Sequence, residues 1–293
     1  MNDEGARAAL AVLERAEEID IDVAPLRLKA LAWGPHDGLP VLCLHGWLDN
    51  AASFARLADH LPHLRLIALE LPGHGHSDHR ADGTYQPLDW VADVVRAADA
   101  LQLDDFAIMG HSMGAGIGSM VAGTIPGRIA RLVLIEGLGG GGVPDDEVPE
   151  RLRVFLEEER QARAVLDRRR PAAFDSAVRA RMAARPIDRA SVELLVARGV
   201  HWSEDGVMWR HDRALQRARP RTMSEGQVQA FLRAIECPTL LVMANDGERW
   251  LGDVFEDRAA CIRNLRKVDV EGQHHVHMDD PVVVAEPIRE FLQ

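Results

Sequence analysis

The 293-residue sequence predicts an α/β protein whose sheet is mostly parallel. Short apolar runs alternate along the chain with segments that have the apolar spacing of helices, and this alternation is typical of parallel sheets. Several runs are apolar at consecutive positions, as strands buried on both faces are. The alternation stops at about residue 143 and resumes at about residue 224, which indicates one sheet-forming core with an inserted subdomain.

The first part of the chain contains two predicted helices and three predicted strands. Residues 5–18 are predicted to form an exposed helix packed on one face, and the period-two alternation of Leu26–Trp33 predicts a half-buried strand. Leu39–Leu44 and Leu64–Glu70 are apolar runs that predict buried strands. A helix at about 51–61 connects these two strands.

Around Ser112 the chain is predicted to turn sharply from a strand into a helix. Gly110-His111-Ser112-Met113-Gly114 follows a short apolar run and fits the G-x-S-x-G nucleophile elbow. A tight turn strains the backbone at the serine and brings positions 110 and 114 together, and glycine at both avoids a collision. The N-terminus of the following helix directs backbone N–H groups towards negative charge beside the serine. This five-residue pattern is common, so its context must decide.

The remaining elements define the predicted domains. Around the elbow we predict a helix over Pro87–Leu101, a helix over Ile117–Ile125 and a strand over Ile129–Glu136. In the inserted segment we predict helices over Val148–Leu166 and Pro171–Met182, and after it a helix at 224–235, a strand at Thr239–Ala244, a helix at about 250–264, a strand at Arg266–Val270 and a last helix. The predicted core is therefore residues 1–142 and 224–293, and residues 143–223 form a helical cap.

Composition excludes several classes of protein. Hydrophobic residues make up 47% of the chain, but no run approaches the ~20 apolar residues that a membrane span needs. A formal net charge of −12 argues against nucleic acid or anionic lipid as a partner. The N-terminal residues lack the features of a signal peptide. Cys43, Cys237 and Cys261 are an odd number at wide spacings, so we expect no disulfide framework and a cytoplasmic location.

Three motifs, each at the carboxyl end of a predicted strand, resemble those of the α/β-hydrolase superfamily. They are His45-Gly46-Trp47, Gly110-His111-Ser112-Met113-Gly114 and Gly272-Gln273-His274. The resemblance covers nearly the whole chain, and it implies an eight-stranded, mostly parallel sheet with helices on both faces and an inserted cap. The longer stretches Leu44–Asn50 and Val270–Met278 are similar to those of serine hydrolase-like proteins.

The resemblance implies a nucleophile and a base. A serine hydroxyl is a poor nucleophile at neutral pH, so Ser112 needs an imidazole to accept its proton. His274 occupies the G-x-H position of the superfamily's catalytic histidine, although a one-residue difference in the loop would favour His275. The three histidines at 274, 275 and 277 could instead ligate zinc, but we expect no metal and no cofactor.

The carboxylate partner of the histidine is ambiguous in the sequence. The commonest superfamily position follows the seventh strand, where Asp246 comes one residue early and Ala244 replaces the usual glycine. Some branches of the superfamily use the end of the sixth strand, where Glu136 closes an apolar run before several glycines. We place Glu136 slightly ahead of Asp246, and Glu248 or the absence of any acid remain as alternatives.

The superfamily pattern also implies an oxyanion hole and a reaction class. The backbone N–H groups of Trp47 and Met113 are the expected donors to the negative oxygen of a tetrahedral intermediate. We therefore expect a serine hydrolase that cleaves a small carboxylic ester, or a related acyl substrate, through an acyl-enzyme. A C–C bond hydrolase with the same triad and a non-catalytic protein that binds a small ligand are the alternatives. The sequence does not indicate the oligomeric state.

Overall fold

A computed structural model describes residues 3–162, 170–217, 223–246, 252 and 254–293. Within these ranges no helix is both long enough and apolar enough to cross a membrane.

The helices and strands follow one another in three groups along the chain. The first group is α1 (Glu4–Leu13), β1 (Glu17–Val23), β2 (Leu26–Trp33), β3 (Leu39–Leu44), α2 (Ala55–Ala58), β4 (Leu64–Leu69), α3 (Pro87–Ala100), β5 (Phe106–His111), α4 (Met113–Thr124) and β6 (Ile129–Ile135). The second is β7 (Gly142–Val143), α5 (Val148–Ala162), α6 (Phe174–Ala184), α7 (Arg189–Gly199), β8 (Val200–Ser203), β9 (Gly206–Trp209) and β10 (Met223–Ser224). The third is α8 (Glu225–Arg233), β11 (Thr239–Ala244), α9 (Val254–Ala259), β12 (Leu265–Val270), α10 (Val276–Asp279) and α11 (Pro281–Phe291).

Eight strands form one sheet in the order β1-β2-β4-β3-β5-β6-β11-β12. The strand β2 runs antiparallel to both of its neighbours, and every other neighbouring pair is parallel. The predicted eight-stranded, mostly parallel sheet is therefore confirmed. Parallel strands place their carboxyl ends at one edge, where α/β proteins form their ligand sites.

The central strands are buried on both faces, which explains their continuous apolar runs. In β3, Val41 and Cys43 belong to the apolar cluster on one face of the sheet, while Leu42 and Leu44 belong to the cluster on the other. Helices cover both faces: α1, α2 and α11 contribute to the first cluster, and α3, α4 and α8 to the second. The predicted helices on both faces are confirmed.

The N-terminal strand β1 is absent from our sequence prediction. We predicted a helix over residues 5–18, but the helix ends at Leu13 and Glu17 already pairs with Ala32 of β2. The stretch Glu17–Val23 is rich in acidic residues, which strands usually lack, and pairing with β2 outweighs that propensity. Lys29 of β2 compensates the acids, with its Nζ 2.7 Å from Asp20.

The ends of the inserted segment lie side by side, because β7 pairs in parallel with β10. Between them the segment contains α5, α6, α7 and a hairpin of β8 and β9 that we did not predict. The hairpin carries Trp202, which stacks on Phe174 with ring centroids 5.3 Å apart. The predicted helix Val148–Leu166 extends to Ala162, and residues 163–166 lie outside the described residues. The division into core and cap remains a prediction, and we call residues 143–223 the cap.

Candidate active site

Ser112 stands between β5 and α4 in a strained backbone conformation, with φ 51° and ψ −114°. Positive φ is uncommon for a residue with a side chain, and such strain is typical of functional turns. A Cβ atom at Gly110 would lie 2.4 Å from the Gly114 carbonyl oxygen, and one at Gly114 would lie 2.0 Å from that of Leu44. The two glycines therefore permit the turn, as the sequence pattern predicts.

His274 lies beside Ser112, in the turn that follows β12. Its Nε2 atom is 2.9 Å from Ser112 Oγ, and the residue is only 7% exposed. Since Nδ1 faces a carboxylate, the proton of the neutral ring belongs on Nδ1, and Nε2 accepts the hydrogen bond from the Ser112 hydroxyl. The neighbouring His275 is turned away from the serine, because its Nε2 lies 3.3 Å from Asp49 Oδ2.

Glu136 is the carboxylate that the structure brings to His274. Its Oε2 atom accepts from His274 Nδ1 at 3.1 Å, and its Oε1 atom accepts from the Ala244 backbone N–H at 2.6 Å. The residue is fully buried, with φ 52° just beyond the end of β6. Both carboxylate oxygens are therefore held by donors on neighbouring elements.

The structure does not bring Asp246 to the imidazole. Asp246 is exposed, and its backbone N–H donates to the Gly272 carbonyl oxygen at 3.1 Å in the turn after β11. Because His274 Nδ1 already donates to Glu136, the sequence alternative of an acid at 246 does not match the geometry. The remaining alternative, Glu248, lies outside the described residues.

The two expected oxyanion donors lie on segments that meet at the elbow. Met113 is the first residue of α4, so its backbone N–H lies at the N-terminal end of the helix. A Cβ atom at Gly114 would lie within 2.8 Å of the carbonyl oxygens of both Leu44 and His45, so the segment before Trp47 runs close against the start of α4. The Trp47 ring lies edge-on to His74, with centroids 6.4 Å apart, so its side chain packs against the loop that follows β4.

A cavity of about 280 Å³ opens at Ser112 and His274. Trp90, Ile117 and Met120 give it apolar walls, and the glycines at 139–141 let it approach the backbone. Arg185, which follows α6 of the cap, also lines it. The cavity can therefore hold a small, largely apolar group next to the serine.

Next to the base lies a polar group of side chains that we call the Asp49 cluster: the buried Asp49, His111 and His275 and the partly buried Arg181. Arg181 Nη2 lies 2.6 Å from Asp49 Oδ1, and His275 Nε2–H donates to Asp49 Oδ2. Burial raises the pKa of Asp49, but His275 and Arg181 outweigh this and hold the pKa well below its usual range. Burial and the neighbouring histidines lower the pKa of His111, which is therefore neutral.

The same cluster is the candidate metal site within the described part of the chain. Asp49, His111 and His275 offer ligand atoms that all lie within 4.8 Å of one another. The Arg181 guanidinium, however, already balances the charge of Asp49, although His111 Nδ1, His275 Nδ1 and Arg181 Nε have no hydrogen-bond partner among the described residues. The sequence analysis did not single out Asp49 or Arg181 as site residues, although Asp49 is part of the motif at 44–50.

The sheet order, the strained serine turn and the histidine and carboxylate at the strand ends define an α/β-hydrolase. Residues 40–281 match the alpha/beta hydrolase fold family, and the chain belongs to that family. The predicted resemblance to serine hydrolase-like proteins is also confirmed. A serine hydrolase-like protein of Danio rerio is 32% identical over 289 residues, which cover 95% of this chain and 89% of the relative.

Two further comparisons agree with this assignment. A serine hydrolase-like protein of Dictyostelium discoideum is 31% identical, over 94% of this chain and 81% of the relative. A solved structure of a hypothetical protein from Pseudomonas aeruginosa PAO1 is 37% identical and superposes with a TM-score of 0.86, over 94% of this chain and 98% of that one. These relationships support a hydrolase.

Proposed function

We propose that this protein is a serine hydrolase that cleaves a small carboxylic ester, or a related acyl substrate, through an acyl-enzyme. The observation that carries the proposal is the unbroken chain of hydrogen bonds from Ser112 through His274 to Glu136, at 2.9 and 3.1 Å, in which Ser112 and His274 line the cavity. A nucleophile within reach of a base that is itself oriented by a third group is the signature of nucleophilic catalysis.

In the first half of the reaction, Ser112 Oγ attacks the substrate carbonyl carbon while His274 Nε2 takes the hydroxyl proton. The resulting imidazolium is stabilised by the buried Glu136 carboxylate. The tetrahedral intermediate collapses when the C–O bond to the alcohol breaks and His274 returns the proton to the leaving oxygen. Ser112 is then acylated, and His274 is neutral again.

In the second half, a water molecule enters beside the acyl group. His274 Nε2 takes a proton from the water as its oxygen attacks the acyl carbon. The second intermediate collapses when the bond to Ser112 Oγ breaks, and His274 returns the proton to that oxygen. The carboxylic acid leaves, and the cycle needs no cofactor.

Backbone donors stabilise the negative oxygen in both intermediates. The N–H groups of Met113 and Trp47 are our proposed pair, because the start of α4 and the segment after β3 meet at the elbow. The helix dipole of α4 adds positive potential at the same place. Loss of one such donor costs other enzymes about a hundredfold to a thousandfold in kcat.

The cavity supports a small substrate. A volume of about 280 Å³ lies at the small end of ligand pockets, which usually measure about 300 to 1,000 Å³, and so limits the substrate to a small molecule. An acyl chain of a few carbons next to Trp90 and Ile117 meets this limit. We propose a small molecule as the partner and, since Cys43 and Cys237 are buried and unpaired, a cytoplasmic location.

The test combines an activity-based probe with short esters. A fluorophosphonate should label the wild type at Ser112, and p-nitrophenyl acetate and butyrate should be hydrolysed well above a Ser112→Ala control. No labelling and no turnover above that control would exclude a serine hydrolase and favour a protein that binds ligands without catalysis. Labelling without ester turnover would favour a C–C bond adjacent to a carbonyl as the substrate.

A further inference from the structure

The Asp49 cluster connects the turn that contains Trp47, the loop that carries His274 and helix α6 of the cap. Asp49 ends the turn that begins at Gly46, since its backbone N–H donates to the Gly46 carbonyl oxygen at 3.2 Å. Leu48 in this turn has φ 60°, a conformation that is rare for a residue with a side chain. Trp47, whose N–H is a proposed oxyanion donor, lies inside the turn. Because Asp49 closes this turn through its backbone, contacts that hold the Asp49 side chain in place also restrain that donor.

The same carboxylate reaches the loop that carries the base. His275, the residue after His274, donates its Nε2–H to Asp49 Oδ2 at 3.3 Å. His111, the residue before Ser112, donates its Nε2–H to the His274 carbonyl oxygen at 2.8 Å, and its other ring nitrogen faces Asp49 Oδ2 at 3.8 Å. The backbone of His274 is thus held on one side by His111 and on the other by the residue bound to Asp49.

The room for this arrangement depends on Gly46. A Cβ atom at position 46 would lie 2.8 Å from Asp49 Oδ2 and 2.9 Å from His111 Nδ1. Any side chain there would push the carboxylate and the imidazole apart. Glycine in the His45-Gly46-Trp47 motif therefore leaves space for the cluster as well as for the turn.

Asp49 also has a partner in the cap. Arg181 on α6 places Nη2 2.6 Å from Asp49 Oδ1, although the two residues are 132 positions apart in the sequence. Asp49 is buried, so an unbalanced charge there would be costly. The helix that carries Arg181 leads directly to Arg185, which lines the cavity. The position of α6 over the cavity is thus coupled to the carboxylate beneath the base.

We propose that Asp49 is a positioning residue that holds His274 and the turn containing Trp47 in their correct relative positions. Arg181 completes this function only when α6 of the cap lies against the core. This inference rests on the proposed function of Ser112 and His274. Asp49 does not touch the substrate; it acts through the two loops that do. Small displacements of a catalytic group are enough to matter, since about 1 Å can cost about a hundredfold in rate.

The first variant is Asp49→Asn. Both Asp49 oxygens accept from N–H donors, so an asparagine must turn its NH2 group towards Arg181 or His275 and lose one contact. We expect kcat to fall about tenfold to a hundredfold, as activity does when a group that orients a ligand or catalytic residue is removed, while KM changes by less than about threefold. The matched variant Arg181→Met should likewise lower kcat and leave KM nearly unchanged.

A lysine at position 181 tests whether Arg181 acts through its charged contact with Asp49 or only through the packing of its side chain. Arg181 contacts Asp49 through a single nitrogen, and its Nε has no hydrogen-bond partner among the described residues. A lysine can supply one cationic donor, so Arg181→Lys should recover most of the kcat that Arg181→Met loses. Equal loss in both variants would contradict the proposal.

The control is Arg198→Met. Arg198 of α7 also links the cap to a buried core carboxylate, with its Nε 3.1 Å from Glu70 Oε1, but within the described part of the chain it forms no hydrogen bond or ion pair with the Asp49 cluster or with His274. Arg198→Met and Arg181→Met should both lower Tm, because each leaves a buried carboxylate without its cation. Only Arg181→Met should lower kcat, measured well below the Tm of each variant.

Amide hydrogen exchange makes the test independent of the substrate. Asp49→Asn and Arg181→Met should speed exchange in residues 45–50 and 271–279, and Arg198→Met should not. Unchanged exchange in both segments, or kcat within about twofold of the wild type in Asp49→Asn and Arg181→Met, would overturn the proposal. If the wild type hydrolyses no ester, the proposed function fails, and the exchange data still decide whether Asp49 positions these loops.

Discussion

Glu136→Gln is the most informative single substitution, because the structure predicts a defect in the protonation of His274. The Ala244 backbone N–H, 2.6 Å from Glu136 Oε1, is a fixed donor that cannot accept a hydrogen bond. The glutamine oxygen will therefore stay on Ala244, and its NH2 group will face His274 Nδ1. That nitrogen must then accept, which moves the ring proton to Nε2 and leaves no lone pair for the Ser112 hydroxyl.

The expected loss is large. A wrong tautomer of the catalytic histidine costs about ten-thousandfold in kcat in a serine protease, and we expect about a thousandfold to ten-thousandfold here. This is a rise of about 4 to 5.5 kcal/mol in the activation barrier. The loss should appear in kcat for p-nitrophenyl butyrate and equally in the rate at which a fluorophosphonate labels Ser112.

Two matched variants complete the experiment. Asp246→Asn changes an exposed carboxylate and should leave kcat within about twofold of the wild type. Glu248→Gln tests the alternative acid that lies outside the described residues. The reasoning is wrong if Glu136→Gln keeps more than about a tenth of the wild-type kcat while either of the other two variants loses about a thousandfold.

Four further outcomes follow from the fold and the site. Gly114→Ala should lower the free energy of unfolding by about 1 to 3 kcal/mol, because its Cβ would meet the Leu44 carbonyl, whereas Gly127→Ala, which has open space, should not; urea titration compares them. Met120→Phe narrows the cavity, so kcat/KM for the butyrate ester should fall about tenfold relative to the acetate ester, and an unchanged ratio would show that the acyl chain lies elsewhere. Burial lowers the pKa of His277 from 6.5 to about 3. The unfolded chain therefore binds a proton at this histidine at a higher pH than the folded protein does, and the stability that neutral His277 contributes is lost as the pH falls below 6.5. Between pH 7 and pH 5 this residue should account for about 2 kcal/mol, and urea unfolding of His277→Gln should show a correspondingly weaker dependence on pH. Dialysis against EDTA should leave ester turnover within about twofold, since Arg181 already neutralises Asp49, and recovery of a lost rate by added Zn²⁺ would contradict this.

Patterns between neighbouring residues predicted much of the fold. Continuous apolar runs such as Leu39–Leu44 identify strands buried on both faces, and the spacing of the two glycines around Ser112 identifies a turn too tight for side chains. These patterns work because periodicity and steric crowding depend on residues close in the chain. They failed at Glu17–Val23, where an acidic strand is stabilised by its partner β2 rather than by its own propensity.

The sequence by itself thus indicated seven of the eight strands of the main sheet, the serine at the elbow and the histidine after the last strand. Only the tertiary structure decided which carboxylate meets that histidine. Glu136 and His274 are 138 residues apart, and Glu136 is fixed by the backbone of Ala244 on the neighbouring strand. The contact between Asp49 and Arg181 likewise joins the core to the cap. Such contacts depend on how loops and helices pack in three dimensions, which no spacing between neighbouring residues specifies.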